Sequence, residues 1–313
     1  MPSRVLKLGT RGSLLARTQS SSVAKEVTKL TGFEIEDVII RTEGDDTTTS
    51  LMKAARPGVF VSALRAALLA GEVDFIVHSF KDLPSKPETG ITLAAVPSRE
   101  DHRDALISRT GAGLMELASG VKVGTSSPRR AARIKFLRPD LQVLPIRGNV
   151  DSRLAKIKSG EFEATLLAVA GLNRVGMQSE INEILSEEQL LPAPAQGALA
   201  IECRSEDIEL VESLAQLNDP ISRLITTAER AVLVGIGASC STAIGSLAKI
   251  SDSKLTLICE LSDPETNEHE RVTKTVTGIT PDSLAEAFKL GMDAAASLLE
   301  TELGQRLGMA NNA

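Results

Sequence analysis

Aromatic side chains are scarce in this chain, and their scarcity argues against one class of partner. The 313 residues include no Trp, no Tyr and only 2% aromatics in all. Proteins that hold single-stranded nucleic acid usually stack its bases on aromatic rings. The formal net charge of −6 also argues against sequence-independent binding of a nucleic-acid phosphate backbone. We therefore expect no nucleic-acid partner.

Long apolar runs and paired cysteines are lacking as well. No stretch of about 20 apolar residues is present to cross a bilayer, and the first residues contain no apolar signal core. The cysteines, Cys203, Cys240 and Cys259, show no C-x-x-C spacing, so neither a zinc site nor a disulfide framework is expected. These features predict a cytoplasmic protein with no membrane partner and no metal.

What the chain does have is positive charge gathered in one stretch. Residues 121–174 carry eleven Lys and Arg against four Asp and Glu, a net charge of +7 in an acidic protein. Here a short strand leads through Gly-Thr-Ser-Ser-Pro into a helix. Ser126 or Ser127 can cap this helix, and the free backbone N–H groups of its first turn favour anions. Arg129 and Arg130 add guanidinium groups suited to carboxylates. The stretch indicates a pocket for a small polyanion, although a solvated basic face would show the same charge.

The order of this stretch repeats an earlier one. A strand that leads through Gly-Thr into a helix occurs at 8–10 and again at 123–125. In each copy there follows a strand ending in Arg, then a helix that ends in Gly and an acidic residue, and then a buried strand. A repeat of about 110 residues predicts two α/β domains of like build with a cleft between them, each binding ligands at the carboxyl ends of its strands. Arg11 and Ser13 occupy the matching turn of the first copy, which favours a binding role for both turns.

The expected fold is α/β, with two similar doubly wound domains and a small α+β domain at the end of the chain. Residues 1–98 and 198–217 would form a discontinuous first domain, residues 103–193 the second, and residues 220–313 the third. The polar segment 97–103 is a candidate hinge. The third domain should contain two hairpin strands and a closing amphipathic helix, and residues 304–313 are expected to be frayed.

Two further candidates lie outside the basic stretch. Lys81 and Asp82 follow an apolar strand, so Asp82 should lie at the carboxyl edge of its sheet, where a carboxylate among arginines can stabilise a cation or relay a proton. Cys240 lies in a loop of small residues, whereas Cys203 and Cys259 alternate with apolar residues on strands. The alternatives are a surface ion pair for Lys81 and Asp82 and an inert thiol for Cys240.

Several segments together resemble the porphobilinogen deaminase, or hydroxymethylbilane synthase, family. They are GTRGSLLA at 9–16, HSFKDLP at 78–84, PSREDHRDAL at 97–106, VGTSSPRR at 123–130, IRGNVDSRL at 146–154, LLAVAGLNR at 166–174, LPAPAQGA at 191–198 and GASCSTAIGS at 237–246. Their shared order and spacing along nearly the whole chain make the resemblance specific. It implies periplasmic-binding-protein-like architecture for the two repeated domains.

The resemblance also implies an activity in tetrapyrrole, haem-type biosynthesis. The enzyme would be a monomeric transferase that condenses four porphobilinogen molecules head to tail into hydroxymethylbilane and releases an ammonia from each. Its cofactor would be one dipyrromethane bound to Cys240 by a thioether. Asp82 would be the central catalytic group, which stabilises the azafulvene cation left when ammonia departs and manages the pyrrole protons.

The resemblance assigns the remaining site residues to two groups. The cofactor would be bound by Ser79, Lys81, Thr125, Ser126, Ser127, Arg129 and Arg130. The substrate and the growing chain would be bound by Arg11, Ser13, Arg147, Gly148, Arg153, Arg174 and Gln196.

The chain departs from the family pattern at two places, and one rival interpretation stays open. The family usually has Gly-Lys-Gly-Leu-Phe where residues 56–60 read Arg-Pro-Gly-Val-Phe, so the contacts of that lid loop are not carried over. Ala243 stands where a proline is common after the cofactor cysteine, which alters the stiffness of the loop. The rival is a cytoplasmic two-domain polycarboxylate-binding protein without catalysis, which would need neither Cys240 nor Asp82.

Overall fold

The computed structural model describes residues 5–40, 59–237 and 242–310. The chain divides into two compact units. The first comprises Met1–Glu100 and Ala198–Arg223, and the second comprises Asp101–Gly197 and Leu224–Ala313.

Strands and helices alternate through most of the described chain. The strands are β1 (Val5–Thr10), β2 (Glu34–Ile39), β3 (Phe75–Ser79), β4 (Ile91–Ala95), β5 (Asp104–Ser108), β6 (Lys122–Gly124), β7 (Gln142–Leu144), β8 (Ala164–Ala168), β9 (Glu183–Ile184), β10 (Leu199–Arg204), β11 (Ala243–Ser251), β12 (Lys254–Ser262) and β13 (His269–Thr277). The helices are α1 (Leu14–Thr31), α2 (Val59–Leu69), α3 (Pro128–Leu137), α4 (Val150–Lys158), α5 (Val169–Arg174), α6 (Ile208–Ala215), α7 (Pro220–Ile236), α8 (Leu284–Leu299) and α9 (Glu302–Ala310).

Each unit contains a mixed sheet, and the two sheets have the same topology. Among the described residues, the strand order is β2-β1-β3-β10-β4 in the first unit and β7-β6-β8-β5-β9 in the second. The first three strands of each sheet are parallel, whereas the fourth is antiparallel to both of its neighbours. The antiparallel fourth strand is β10 in the first unit and β5 in the second. Each begins shortly after the chain passes from one unit to the other. The predicted repeat and α/β fold class are confirmed.

A glycine at the end of the first strand of each repeat permits close packing against a neighbouring side chain. A Cβ on Gly9 would lie 2.9 Å from Ile76, and a Cβ on Gly124 would lie 2.9 Å from Ile146. A Cβ at that separation would force the isoleucine to shift, so glycine is favoured at both positions. The glycine of the Gly-Thr pair therefore allows the same close packing against an isoleucine in both repeats.

The second unit also contains an antiparallel sheet in the order β11-β12-β13. Apolar residues of α7 and α8, including Leu224 and Leu290, pack against it around Leu257. We expect only two strands from the sequence, and β11 is missed because its first six residues are all buried and do not alternate. The prediction of a frayed end is wrong for residues 304–310, which belong to α9. Its residue Leu303 is buried in the same core.

Two further findings concern the described residues as a whole. Their helices include none with the length and apolar character needed to cross a membrane. They also contain no group of three or more His, Cys, Asp and Glu side chains placed to hold a metal ion.

Candidate active site

In the first unit, the site residues follow the carboxyl ends of β1 and β3. These strands are adjacent and parallel, so the turns after them lie at the same edge of the sheet. Arg11 follows β1, and Ser13 caps α1 because its Oγ accepts a hydrogen bond from the Ala16 N–H at 3.4 Å. Gln19 of α1 donates from Nε2 to Ser79 Oγ at 3.0 Å. The structure thus connects α1 to the end of β3.

The turn after β3 presents Asp82 to solvent. Phe80–Asp82 form a single 3₁₀ turn, and the Phe80 N–H donates to the Ala198 carbonyl at 3.0 Å. Phe80 and Leu83 are buried, whereas Lys81 is half-buried and Asp82 is exposed. The apolar neighbours therefore hold the turn against the sheet while Asp82 stays at its surface. Asp82 lies at the carboxyl edge of the sheet, as the sequence predicts.

In the second unit, Thr125, Ser126 and Ser127 connect β6 to α3. Ser127 is the cap, because its Oγ accepts from the Arg130 N–H at 3.4 Å. Ser126 instead donates from Oγ to the Ile146 carbonyl at 2.8 Å. The Thr125 hydroxyl accepts from the Ser127 N–H at 3.2 Å. These bonds fix the turn and leave Ser126 exposed beside the start of the helix.

Arg129 and Arg130 point inward from the first turn of α3. Asp104, which is fully buried, accepts from both guanidinium groups. Arg129 donates to Asp104 Oδ2 at 2.8 Å and to the Leu191 carbonyl at 2.5 Å. Arg130 donates to Asp104 Oδ1 from Nε at 2.9 Å and to the Leu166 carbonyl at 2.9 Å. The sequence indicates the arginines but not this carboxylate partner.

The charges in this cluster do not balance. Two guanidinium groups share the Asp104 carboxylate, and Glu260, whose charge also acts on Arg129, is itself paired with Arg271. Arg129 Nε is buried without a hydrogen-bond partner among the described residues. Burial lowers the pKa of Arg129, and Asp104 partly opposes that shift. A surplus positive charge and an unused N–H donor, both beside a helix N-terminus, favour a carboxylate ligand.

Arg147, Gly148 and Arg153 lie beyond β7, which is parallel and adjacent to β6. Arg147 and Gly148 are exposed, and Arg153 Nε donates to the Gly148 carbonyl at 2.9 Å. Gly148 has φ +114, and a Cβ there would lie 2.6 Å from the Ser152 Cβ. Glycine is therefore required at this turn. The turn places these residues near the start of α3, since Ser126 bonds the residue that precedes Arg147.

Arg174 and Gln196 hold the segment that leads into β10. Arg174 Nη2 donates to the Gly197 carbonyl at 2.6 Å. Gln196 has no exposed surface, and its Nε2 donates to the carbonyls of His102 at 2.8 Å and Arg103 at 3.3 Å. In this structure both side chains bind backbone. Their contacts with substrate stay a prediction.

The two thiols that the structure describes are buried, as the sequence predicts for them. Cys203 and Cys259 are fully buried, and burial raises the pKa of each thiol to about 12. Neither is a thiolate at neutral pH, so neither is a competent nucleophile. Cys240 lies outside the described residues, as do residues 56–58 of the lid loop.

Comparison with known proteins identifies the family. Residues 6–212 match the model described as "Porphobilinogen deaminase, dipyromethane cofactor binding domain", and residues 224–300 match "Porphobilinogen deaminase, C-terminal domain". The chain belongs to the porphobilinogen deaminase family. The expected enzyme class and dipyrromethane cofactor are thereby confirmed, and the binding-protein interpretation is not favoured.

Individual relatives agree with the family models. The chain is 43% identical to porphobilinogen deaminase 1 of Streptomyces coelicolor, with 96% of each chain covered. It is 44% identical to porphobilinogen deaminase of Thermobifida fusca, with 94% of this chain and 93% of the relative covered. Among solved structures, it is 15% identical to an arginine-specific periplasmic binding protein of Salmonella typhimurium, with a TM-score of 0.42 over 70% of this chain and 94% of that one.

Proposed function

We propose that this chain joins four porphobilinogen molecules head to tail into hydroxymethylbilane, releasing an ammonia from each, on a dipyrromethane carried by Cys240. The observation that carries the proposal is the buried cluster of Arg129, Arg130 and Asp104 at the start of α3. It lies in the part of the chain that matches the cofactor-binding domain of the family. A linear pyrrole oligomer presents two carboxylates on every ring, and a surplus of buried guanidinium charge suits such a ligand.

The residues at the start of α3 fit the cofactor. Arg129 Nε is a buried donor with no acceptor among the described residues, and a cofactor carboxylate would supply one. Thr125 and Ser127 have hydroxyl oxygens that accept from backbone N–H groups, so their hydroxyl protons could be donated to a cofactor carboxylate. Ser79, Lys81 and Ser126 are proposed to bind the cofactor as well. When bound, the dipyrromethane supplies the tethered pyrrole carbon to which the first substrate is joined.

Asp82 is the proposed catalytic residue. Its carboxylate is exposed on a turn whose neighbours, Phe80 and Leu83, are packed in the core. Loss of ammonia leaves positive charge on the substrate, and a fixed carboxylate stabilises that charge. The same group can accept the pyrrole N–H proton and return it. The side chain is thus free to meet substrate while its backbone is held.

The proposed substrate residues supply cations and donors for the carboxylates of porphobilinogen. They are Arg11, Ser13, Arg147, Gly148, Arg153, Arg174 and Gln196. Arg147 is exposed on a turn that Gly148 makes tight. A guanidinium group binds a carboxylate through two parallel hydrogen bonds, which fixes the orientation of the substrate as well as its charge.

The domain organisation and cellular setting complete the proposal. We retain three domains, residues 1–98 with 198–217, residues 103–193 and residues 220–313. We also retain a cytoplasmic protein without a nucleic-acid partner, as expected from the sequence, and the monomeric state that the resemblance implies.

Intact mass spectrometry tests the proposal. The active protein should exceed its sequence mass by one dipyrromethane, whereas Cys240→Ser should match its sequence mass. Cys259→Ala is the matched control, because Cys259 is buried and its thiol is protonated. It should retain the adduct. An adduct that persists in Cys240→Ser, or is absent from the active protein, would contradict the assignment of Cys240.

A further inference from the structure

We infer that Asp104 is a positioning residue of the cofactor pocket, which orients Arg129 and Arg130 so that both can hold one carboxylated ligand. The inference rests on the proposed function and adds to it a residue that would not touch the cofactor. Asp104 lies in the PSREDHRDAL segment with other acids, and the sequence does not distinguish it from them.

The topology of the sheet brings Asp104 to the site. Strand β5 is antiparallel to β8, with Asp104 paired to Ala168 at the end of β8. The first residue of β5 therefore lies at the carboxyl edge of the parallel strands, where α3 begins. The Leu185 N–H donates to the Asp104 carbonyl at 2.9 Å. Its backbone is thus held on both sides before its side chain makes any contact.

The side chain of Asp104 contacts both arginines. Its Oδ2 accepts from Arg129 Nη2 at 2.8 Å, and its Oδ1 accepts from Arg130 Nε at 2.9 Å and Nη2 at 2.5 Å. All three residues are less than a tenth exposed. Because a guanidinium group is planar, two bonds to one oxygen and a third to a carbonyl fix the plane of Arg130. Arg129 is fixed in the same way by Asp104 and the Leu191 carbonyl.

The orientation leaves one buried donor of Arg129 unsatisfied among the described residues. Its two Nη atoms bind Leu191 and Asp104, whereas Nε has no partner among the described residues. A carboxylate reaching Nε would also neutralise the surplus positive charge. Removal of the Asp104 charge would make the pocket more positive but less ordered. If charge attraction governs cofactor uptake, loss of the Asp104 charge should therefore increase uptake. If positioning of the arginines governs it, the same loss should decrease uptake.

The experiment measures uptake of the cofactor rather than turnover. Apoprotein of the wild type, Asp104→Asn and Asp104→Glu would be incubated with increasing porphobilinogen, and the loaded fraction read by intact mass. We expect half-loading of Asp104→Asn to need about ten-fold more porphobilinogen, the effect of one weakened charge-assisted hydrogen bond. Asp101→Asn is the matched control, because Asp101 pairs with its neighbour Arg103. It should load as the wild type does.

A second measurement separates positioning from a purely structural role. Thermal unfolding would be compared with and without Cys240→Ser, in the wild-type and Asp104→Asn backgrounds. If Asp104 positions the arginines, the rise in Tm caused by the cofactor should shrink in Asp104→Asn. If it only stabilises the fold, both Tm values should fall together and the rise should be unchanged.

Each outcome decides the inference. Unchanged or tighter loading of folded Asp104→Asn, or an unchanged cofactor-dependent rise in Tm, would overturn it. If Asp104→Asn does not fold, Asp104→Glu decides, since it retains the charge and displaces the oxygens by one methylene. Loading of Asp104→Glu at the wild-type level would overturn the inference. A wild-type protein that takes up no dipyrromethane would instead overturn the proposed function, and this inference with it.

Discussion

Arg65 and Glu202 form a bidentate ion pair in the interior of the first unit. Arg65 of α2 donates from Nε to Glu202 Oε2 at 3.0 Å and from Nη2 to Oε1 at 2.6 Å. Their side chains are 9% and 5% exposed. His78 Nε2 lies 3.4 Å from Glu202 Oε2, and His78 belongs to β3, the strand that leads to Asp82. One carboxylate on β10 thus connects α2 with the strand that carries the candidate catalytic turn.

We predict that Glu202→Gln lowers the free energy of unfolding by about 3–5 kcal/mol, because it leaves the buried Arg65 charge with only the exposed Glu88 carboxylate, 3.9 Å away, as a counter-ion. Urea unfolding at neutral pH measures the loss. The matched control is Asp293→Asn, which removes the exposed α8 pair between Lys289 and Asp293. Such a pair contributes only about 0.5 kcal/mol or less. Equal losses in the two variants would show that the Arg65–Glu202 pair is not significant for stability.

The same pair should make stability depend on acid. Burial opposes ionisation of Glu202, but His78 and Arg65 hold the pKa of its carboxyl below the ordinary value. A carboxyl with a lowered pKa in the folded state contributes stability above its unfolded pKa of about 4.3, and this is lost as the pH falls through the folded pKa. The unfolding free energies of wild type and Glu202→Gln should therefore converge below about pH 4. A constant difference from pH 7 to pH 3 would contradict this.

Gly124→Ala tests the packing of the repeated turn. A Cβ there would lie 2.9 Å from atoms of Ile146, and overpacking of this kind costs about 1–3 kcal/mol. Gly12→Ala is the control, because its Cβ would come no closer than 3.9 Å to Ile39. Thermal unfolding should show a clear loss for Gly124→Ala and little change for Gly12→Ala. The same small change in both would mean that Ile146 can move aside.

Asp82→Ala should remove turnover without unfolding the protein. Its exposure predicts a stability change within about 0.5 kcal/mol, whereas loss of a general acid–base group costs about 10²–10⁴-fold in rate. Ammonia release and circular dichroism measure the two quantities. Asp37→Asn, an exposed carboxylate on β2, is the control and should keep full activity. Near-normal turnover of Asp82→Ala would remove Asp82 from the mechanism.

Local signals predict the elements nearest the site well. The pattern of residues 5–10 predicts a strand and that of residues 59–69 predicts a helix, and both bounds match β1 and α2 of the structure. α3 begins at Pro128, as its cap and proline indicate. These elements depend on periodicity and on residues within one turn. β5 is missed because it is defined by pairing with β8, which is distant in sequence. β11 pairs with the adjacent strand β12 and is missed because its buried residues do not alternate with exposed ones. The family resemblance indicates most of the site residues, and their partner Asp104 is missed because β5 is placed by pairing with a strand distant in sequence.

The sequence by itself determines the repeat, the family and the identity of the charged residues, because these are properties of order and spacing along the chain. Only the tertiary structure decides which charges are used internally. It assigns Arg129 and Arg130 to Asp104, the cap of α3 to Ser127, and Gln196 to the carbonyl groups of His102 and Arg103. Burial and hydrogen bonding depend on which distant strands become neighbours in the sheet, and the local pattern of residues does not contain that information.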